Sequence, residues 1–158
     1  MLKRFVLRDG VIVAIACLGW ALLAPASGGT GWTADLAGWI AGLLATVCAY
    51  LAHEWSHYLG ALATRSRAPL AEHLASPFLF RFEAETNGLL QFVGMSLAGF
   101  AATAIAVWLA YTWLPDALLA TRIARGGALF LASLGVVLEL PLLVYGLVTG
   151  GVPKQVSV

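Results

Sequence analysis

The stretch ADLAGWIAGLLATVCAYLAHEWSHYLGALAT, residues 34–64, decides the fold class of this chain. Most of its residues are apolar or small, and its acidic and basic side chains are few. A helix needs about 20 mainly apolar residues to cross the hydrocarbon core of a bilayer. The stretch is long enough to cross with a tilt or to protrude, so it predicts a transmembrane helix that carries ionisable groups.

The composition of the whole chain also favours a membrane environment. Of its 158 residues, 61% are hydrophobic and 11% are charged, whereas a soluble domain has about 45–50% apolar and about 25% charged residues. A core of this size cannot bury that excess. The net charge of +1 gives no indication of nucleic-acid binding. Cys17 and Cys48 lie in apolar stretches and are expected to be buried and unpaired.

Four stretches are predicted to span the membrane, which gives an all-α integral membrane protein with a single domain. They are residues 11–26, 34–64, 89–114 and 126–148. Residues 117–125 form an amphipathic lead-in that we expect at the membrane interface. Lys3, Arg4 and Arg8 before the first apolar run resemble the start of a signal peptide, but we expect this run to be retained as the first helix.

The positions of Lys and Arg predict the orientation, because these residues accumulate in cytoplasmic segments. With both termini inside, seven of the nine lie on the cytoplasmic side: Lys3, Arg4, Arg8, Arg65, Arg67, Arg81 and Lys154. Arg122 and Arg125 lie on the other side. We therefore expect cytoplasmic termini, a cytoplasmic loop 65–88 and a location in a bacterial inner membrane.

Residues 77–84 of this loop alternate in character. Phe78, Phe80 and Phe82 alternate with Leu79, Arg81 and Glu83. A period of two is typical of a strand with one apolar face, and Asn87-Gly88 is a turn signal. We therefore expect a short β-strand or hairpin at the membrane surface between the second and third helices.

His53, Glu54 and His57 form a His-Glu-x-x-His motif in the second predicted helix. Residues four apart lie on the same face of a helix, so His53 and His57 can bind one metal ion. Glu54 lies beside them and can accept a proton from a water at that metal. Neutral imidazole on a divalent ion favours Zn²⁺.

The alternative interpretation is that His53 and His57 hydrogen-bond lipid headgroups or carbonyls at a helix end. Their depth argues against it. If Arg65 marks the interface, His57 lies about 12 Å and His53 about 18 Å inside, at about 1.5 Å per residue. Ionisable groups at such a depth usually mark a functional site, so we favour a metal site.

Glu139 is the preferred third ligand, because it is the only acidic or basic residue in the fourth predicted span. It lies about 16 Å from the cytoplasmic end, at the depth of the histidine pair. Pro141 should kink this helix and open room for a metal or water. The alternative is a protonated Glu139 that hydrogen-bonds a neighbouring helix. Glu72 and His73 in the loop are weaker ligand candidates.

The third predicted helix contains several small or polar residues: Gly94, Ser96, Gly99 and Thr103. Small residues let membrane helices approach closely. We therefore interpret this set as a packing surface.

Residues 52–61, AHEWSHYLGA, resemble the first motif of the site-2 protease family of intramembrane zinc metalloproteases. Residues 96–100, SLAGF, are similar to the small-residue segment that opens the next helix of that family, and residues 77–84 lie where its members carry a membrane-associated sheet. The resemblance covers residues 34–150. It implies Zn²⁺ as the cofactor, two histidine ligands and Glu54 as the catalytic residue.

The last motif of that family, Asn-x-x-Pro followed by Leu-Asp-Gly, is only partly present. Pro141 and Gly146 are kept, but Tyr145 stands where the family has the Asp that is its third zinc ligand. Glu139 is the acidic substitute, and on an ideal helix it lies about 120° away from Tyr145.

Two functions follow from these observations. The first is an intramembrane zinc metalloprotease that cleaves transmembrane segments or leftover signal peptides, with the substrate paired to residues 77–84 by strand addition. The second is a catalytically inactive site-2-protease-like subunit of a larger membrane complex, favoured by the missing Asp. The expected partners are the lipid bilayer and a membrane protein substrate or partner subunits. Three histidines are too few for a membrane di-iron oxygenase, and no repeat symmetry supports a transporter.

Overall fold

The computed structural model describes residues 1–154, and helices account for most of them. The helices are α1 (Leu2–Leu23), α2 (Trp32–Ala63), α3 (Leu89–Thr112), α4 (Leu119–Leu134) and α5 (Leu140–Thr149). A short 3₁₀ turn, Pro25–Gly28, follows α1, and a π turn, Gly135–Glu139, joins α4 to α5. Four segments are long and apolar enough to cross a membrane: α1, α2, α3 and the continuous segment Leu119–Thr149.

The outer surface of these helices is apolar. Large hydrophobic side chains such as Leu90, Val148 and Trp113 are 83%, 81% and 75% exposed. Apolar patches of this extent are rare on soluble monomers, and a lipid bilayer would cover them. The predicted class, an all-α protein with four apolar helices, is confirmed.

The first helix begins at Leu2 and not at residue 11 as the sequence predicted. Phe5 is fully buried and packs with Tyr58 of α2 and Leu79 of the loop. Asp9 is also buried, and it accepts a hydrogen bond of 2.8 Å from the indole N–H of Trp55. Because of these long-range contacts, the positively charged segment of residues 2–10 is part of the first helix.

The predicted amphipathic lead-in, residues 117–125, is largely the first turns of α4. Arg125 donates to the carbonyl oxygen of Ala110 in the last turn of α3 and to that of Leu114 just beyond it, and it forms an ion pair of 2.6 Å with Asp116. The fourth span therefore starts at Leu119 and not at residue 126, because α4 is fastened to the end of α3.

Helix α2 packs against α1, α3 and α4 through small residues. A Cβ atom on Gly42 would lie 2.5 Å from Cβ of Ile123 in α4, and one on Gly60 would lie 2.7 Å from Cβ of Ala98 in α3. Close approach of backbones is the usual way in which membrane helices associate.

Cys17 is exposed and not buried as predicted, and both cysteines are free.

The expected β-strand or hairpin at residues 77–84 is not found among residues 1–154. This segment instead forms one isolated antiparallel bridge, between Leu70 and Phe80. The pairing is short because Pro69, opposite Arg81, has no N–H to donate, although its carbonyl accepts from the Arg81 N–H at 2.9 Å. Leu79 is 1% exposed, so the strict alternation of faces predicted from the sequence is also wrong.

Candidate metal centre

Three predicted ligands, from α2 and the last span, lie together in the structure. The Nε2 atoms of His53 and His57 are 3.0 Å apart. Glu139 places Oε1 3.1 Å from Nε2 of His53 and Oε2 3.3 Å from Nε2 of His57. In a tetrahedral zinc site with bonds of about 2.0–2.1 Å, ligand atoms are about 3.3–3.4 Å apart. The group has the spacing for one ion, while metal binding itself stays a prediction.

The other ring nitrogens determine which tautomer each histidine adopts. Nδ1 of His57 is 2.9 Å from the carbonyl oxygen of Met95, and Nδ1 of His53 is 3.2 Å from the carbonyl oxygen of Gly99. A carbonyl can only accept a hydrogen bond, so each Nδ1 carries the proton and donates. In a neutral ring, Nε2 then presents a lone pair. This pattern of Nδ1 donors is typical of metal-binding histidines.

The two Nε2 lone pairs and the Glu139 carboxylate therefore face one another as acceptors. Oε2 of Glu139 is buried and has no hydrogen-bond donor. Buried acceptors without a donor are unfavourable, so a cation or an added proton between the three side chains would stabilise the group. Two imidazoles and one carboxylate form a donor set that zinc commonly takes.

Glu139 is directed to the histidine pair by the irregular part of the last span. It is the last residue of the π turn and lies two positions before Pro141. Because Pro141 has no N–H, the regular hydrogen-bond pattern cannot continue through this point. A π turn adds one residue to a helical turn and is often found at functional sites. The sequence predicted disruption at Pro141 but not the form that it takes.

Gly99 and Thr103 of α3 contact the histidines. The sequence predicted only a packing role for both. A Cβ atom at Gly99 would overlap the ring of His57, so only glycine fits there. The hydroxyl oxygen of Thr103 lies 2.8 Å from Nδ1 of His53. Met95, Gly99 and Thr103 are four residues apart and share one helix face, and this spacing is the signal that sequence reasoning missed.

Glu54 lies beside the three predicted ligands without joining their group. Its Oε2 accepts a hydrogen bond of 3.3 Å from the backbone N–H of Leu79. Glu54, His57 and Glu139 line the same cavity, which has a volume of about 260 Å³. A molecule in this cavity could therefore contact the Glu54 carboxylate and the predicted ligands at once.

The other candidates are outside this group. Glu72 and His73 are exposed in the loop and do not belong to the cluster of His53, His57 and Glu139. Tyr145, at the position of the family Asp, is 58% exposed on α5. The carboxylate next to the two histidines therefore comes from Glu139 and not from the position of the family Asp.

The loop over the cavity is held by α1 and α2. The Arg8 guanidinium donates to the carbonyl oxygens of Leu74 and Ser76 and pairs with Asp9 at 2.6 Å. The hydroxyl of Tyr50 donates to the carbonyl oxygen of Pro77. The contacts of Arg8 and Tyr50 with the loop join residues 27 to 68 positions apart, so sequence patterns do not predict them.

Comparison of the chain with protein-family models, with curated proteins and with solved structures found no match. The resemblance to the site-2 protease family therefore depends on the quoted motif residues alone.

Proposed function

We propose that this protein is an intramembrane zinc metallopeptidase of the site-2 protease type. One observation carries the proposal: two imidazole lone pairs and the Glu139 carboxylate converge beside a second carboxylate, Glu54, at a shared cavity. All four groups belong to helices that are apolar enough to span a membrane. Ionisable groups are costly in such helices and by default mark a functional site.

The predicted ligand set suits a catalytic metal better than a structural one. Structural zinc sites usually have four protein ligands, whereas catalytic sites have three and keep one position open. Here three protein ligands lie next to a cavity. A zinc ion in this place would polarise a peptide carbonyl and make water acidic enough to attack it near neutral pH.

The side chains around the group have distinct tasks in this proposal. Glu54 accepts the proton of the attacking water and later donates it to the leaving amine. The N–H of Leu79 holds one oxygen of Glu54, which leaves the other oxygen for the proton. The Met95 and Gly99 carbonyls keep the imidazoles in the tautomer that presents Nε2 to a metal.

The proposed substrate is a transmembrane segment or a leftover signal peptide. A helix with its side chains is about 10–12 Å across, so a cavity of about 260 Å³ holds only a short, unwound piece of it. Extended backbone near Phe80 offers a partner for strand addition.

The proposed location is the bacterial inner membrane. The distribution of Lys and Arg favours cytoplasmic termini there.

Exchange of Glu54 for Gln tests this function. Purified protein loaded with zinc in detergent is incubated with single-span peptides, and cleavage is followed by mass spectrometry. We expect Glu54→Gln to lower the cleavage rate by about 100- to 10,000-fold, the usual contribution of a general base, while metal analysis shows the same zinc content. Glu72→Gln is the matched control, because Glu72 is exposed in the loop, and it should cleave normally.

A different result would favour the inactive subunit. If the wild-type protein binds zinc but cleaves none of the peptides, and Glu54→Gln supports its cellular role as well as the wild type does, the protein is not a peptidase. If the wild-type protein binds no divalent metal, the metal centre itself is refuted.

A further inference from the structure

The cavity beside the predicted ligands has two chemically different sides. One side is polar and carries Glu54, His57, Ser96 and Glu139. The other side is apolar and is made by Phe78, Phe80, Phe82, Phe92, Met95 and Leu142. The apolar side chains come from the loop, α3 and α5, so three separate parts of the fold line this side.

The two sides share residues and helix faces. Leu142 lies three residues after Glu139, which places both on the same face of the last span. Met95 offers its carbonyl to His57 while its side chain lines the apolar side. Phe82, Phe92 and Met95 belong to one buried cluster with Leu143. A group bound on the apolar side would therefore lie next to the histidines.

The size of the cavity limits what can occupy it. Its volume of about 260 Å³ corresponds to roughly nine water molecules at about 30 Å³ each, which leaves room for a peptide unit and one large side chain. The lining residues of the apolar side include no charged or polar side chain. A charged side chain placed among these apolar residues would lose its hydration without gaining a partner.

We propose that the apolar side is a specificity pocket that takes one large apolar side chain, aromatic or branched aliphatic, from the residue next to the bond to be cut. This inference rests on the proposed function, because it assigns the pocket to a substrate of the same metal centre. It predicts cleavage beside residues such as Phe or Leu and not beside Asp or Lys.

Hydroxamate probes test the pocket without requiring cleavage, because a hydroxamate chelates the metal directly. Binding to the zinc-loaded protein is measured by calorimetry for acetohydroxamate and for the hydroxamates of N-acetyl-phenylalanine and N-acetyl-aspartate. We expect the phenylalanine compound to bind at least about 10-fold tighter than acetohydroxamate, since it buries a ring, and the aspartate compound to show no such gain.

Leu142→Trp fills the pocket. In this variant the phenylalanine compound should bind no tighter than acetohydroxamate, while acetohydroxamate itself still binds. Val144→Trp is the matched control: it lies on the same helix, is 49% exposed, and should keep the gain. If the Leu142→Trp variant no longer binds zinc, Phe92→Leu is the variant that tests the pocket. This exchange enlarges the pocket, so the tryptophan hydroxamate should then bind tighter than the phenylalanine hydroxamate.

The outcomes separate the pocket from the proposed function. Equal binding of acetohydroxamate and the phenylalanine compound to the wild-type protein would overturn the pocket and leave the metal centre intact. The pocket would also be overturned if the phenylalanine compound still bound tighter than acetohydroxamate to Leu142→Trp and if Phe92→Leu did not favour the tryptophan hydroxamate. A wild-type protein that carries no zinc and binds no hydroxamate would overturn the metal centre, and the pocket with it.

Discussion

At the scale of single residues, the structure shows which atoms of the motif face one another. The spacing of His53 and His57 predicted that they share a face, and the depth of Glu139 predicted that it lies near them. Both relations follow from the regular spacing of residues in a helix, which can be calculated from the sequence. The histidine tautomers could not be predicted, because they depend on the register of α3 against α2, which places the Gly99 carbonyl and the Thr103 hydroxyl at His53.

Thr103 provides a test at this scale. Thr103→Val removes the hydroxyl next to Nδ1 of His53 with little change of shape, and we expect zinc affinity to fall by about 10- to 100-fold, the usual effect of losing such a partner. Competition with a chelator of known affinity measures it. Thr103→Ser keeps the hydroxyl and is expected to retain the affinity; equal losses in both variants would show that Thr103 acts through packing alone.

At the scale of helices, the fourth span differs from its prediction in a way that bears on the site. Apolar composition predicted a span there, and Pro141 predicted an irregularity. The start at Leu119 and the π turn Gly135–Glu139 were not predictable, because both depend on contacts with other helices. The π turn matters for the site, since it sets the direction in which Glu139 points.

Deletion of Val137 tests the π turn. Removing one residue would convert the π turn into a regular α-helical turn, so Glu139 would leave the widened turn that directs it at the histidines. We expect stoichiometric zinc binding to be lost, while circular dichroism shows unchanged helix content. Val137→Ala is the control, because Val137 is 67% exposed and this exchange keeps the register. Zinc binding by the deletion variant would show that the π turn does not position Glu139.

At the scale of the whole molecule, the fold connects its first helix to the site through the loop. Arg8 holds the carbonyl oxygens of residues 74 and 76, and Leu79 donates to Glu54. The sequence predicted a short β-strand or hairpin at the membrane surface here, since alternation is a local signal. It could not show that α1 supports the segment, because those contacts join residues 66 and 68 positions apart.

Arg8→Gln tests this connection. Without the guanidinium, the loop loses two hydrogen bonds and should open more often. We expect faster hydrogen exchange of the Leu79 amide, measured by mass spectrometry, and a lower cleavage rate at unchanged zinc content. Arg4→Gln is the control, since Arg4 is exposed on the same helix. Unchanged exchange in Arg8→Gln would mean that α2 alone holds the loop.

The separation of the predicted ligands along the chain also has a consequence for biosynthesis. Glu139 follows His53 by 86 residues and belongs to the last apolar segment. A nascent chain that has inserted only α1, α2 and α3 carries the two imidazoles without the carboxylate. The complete set forms only when the final span leaves the ribosome and docks beside α2. Loading of the proposed ion would therefore be a late step of maturation, after the bundle has assembled in the bilayer.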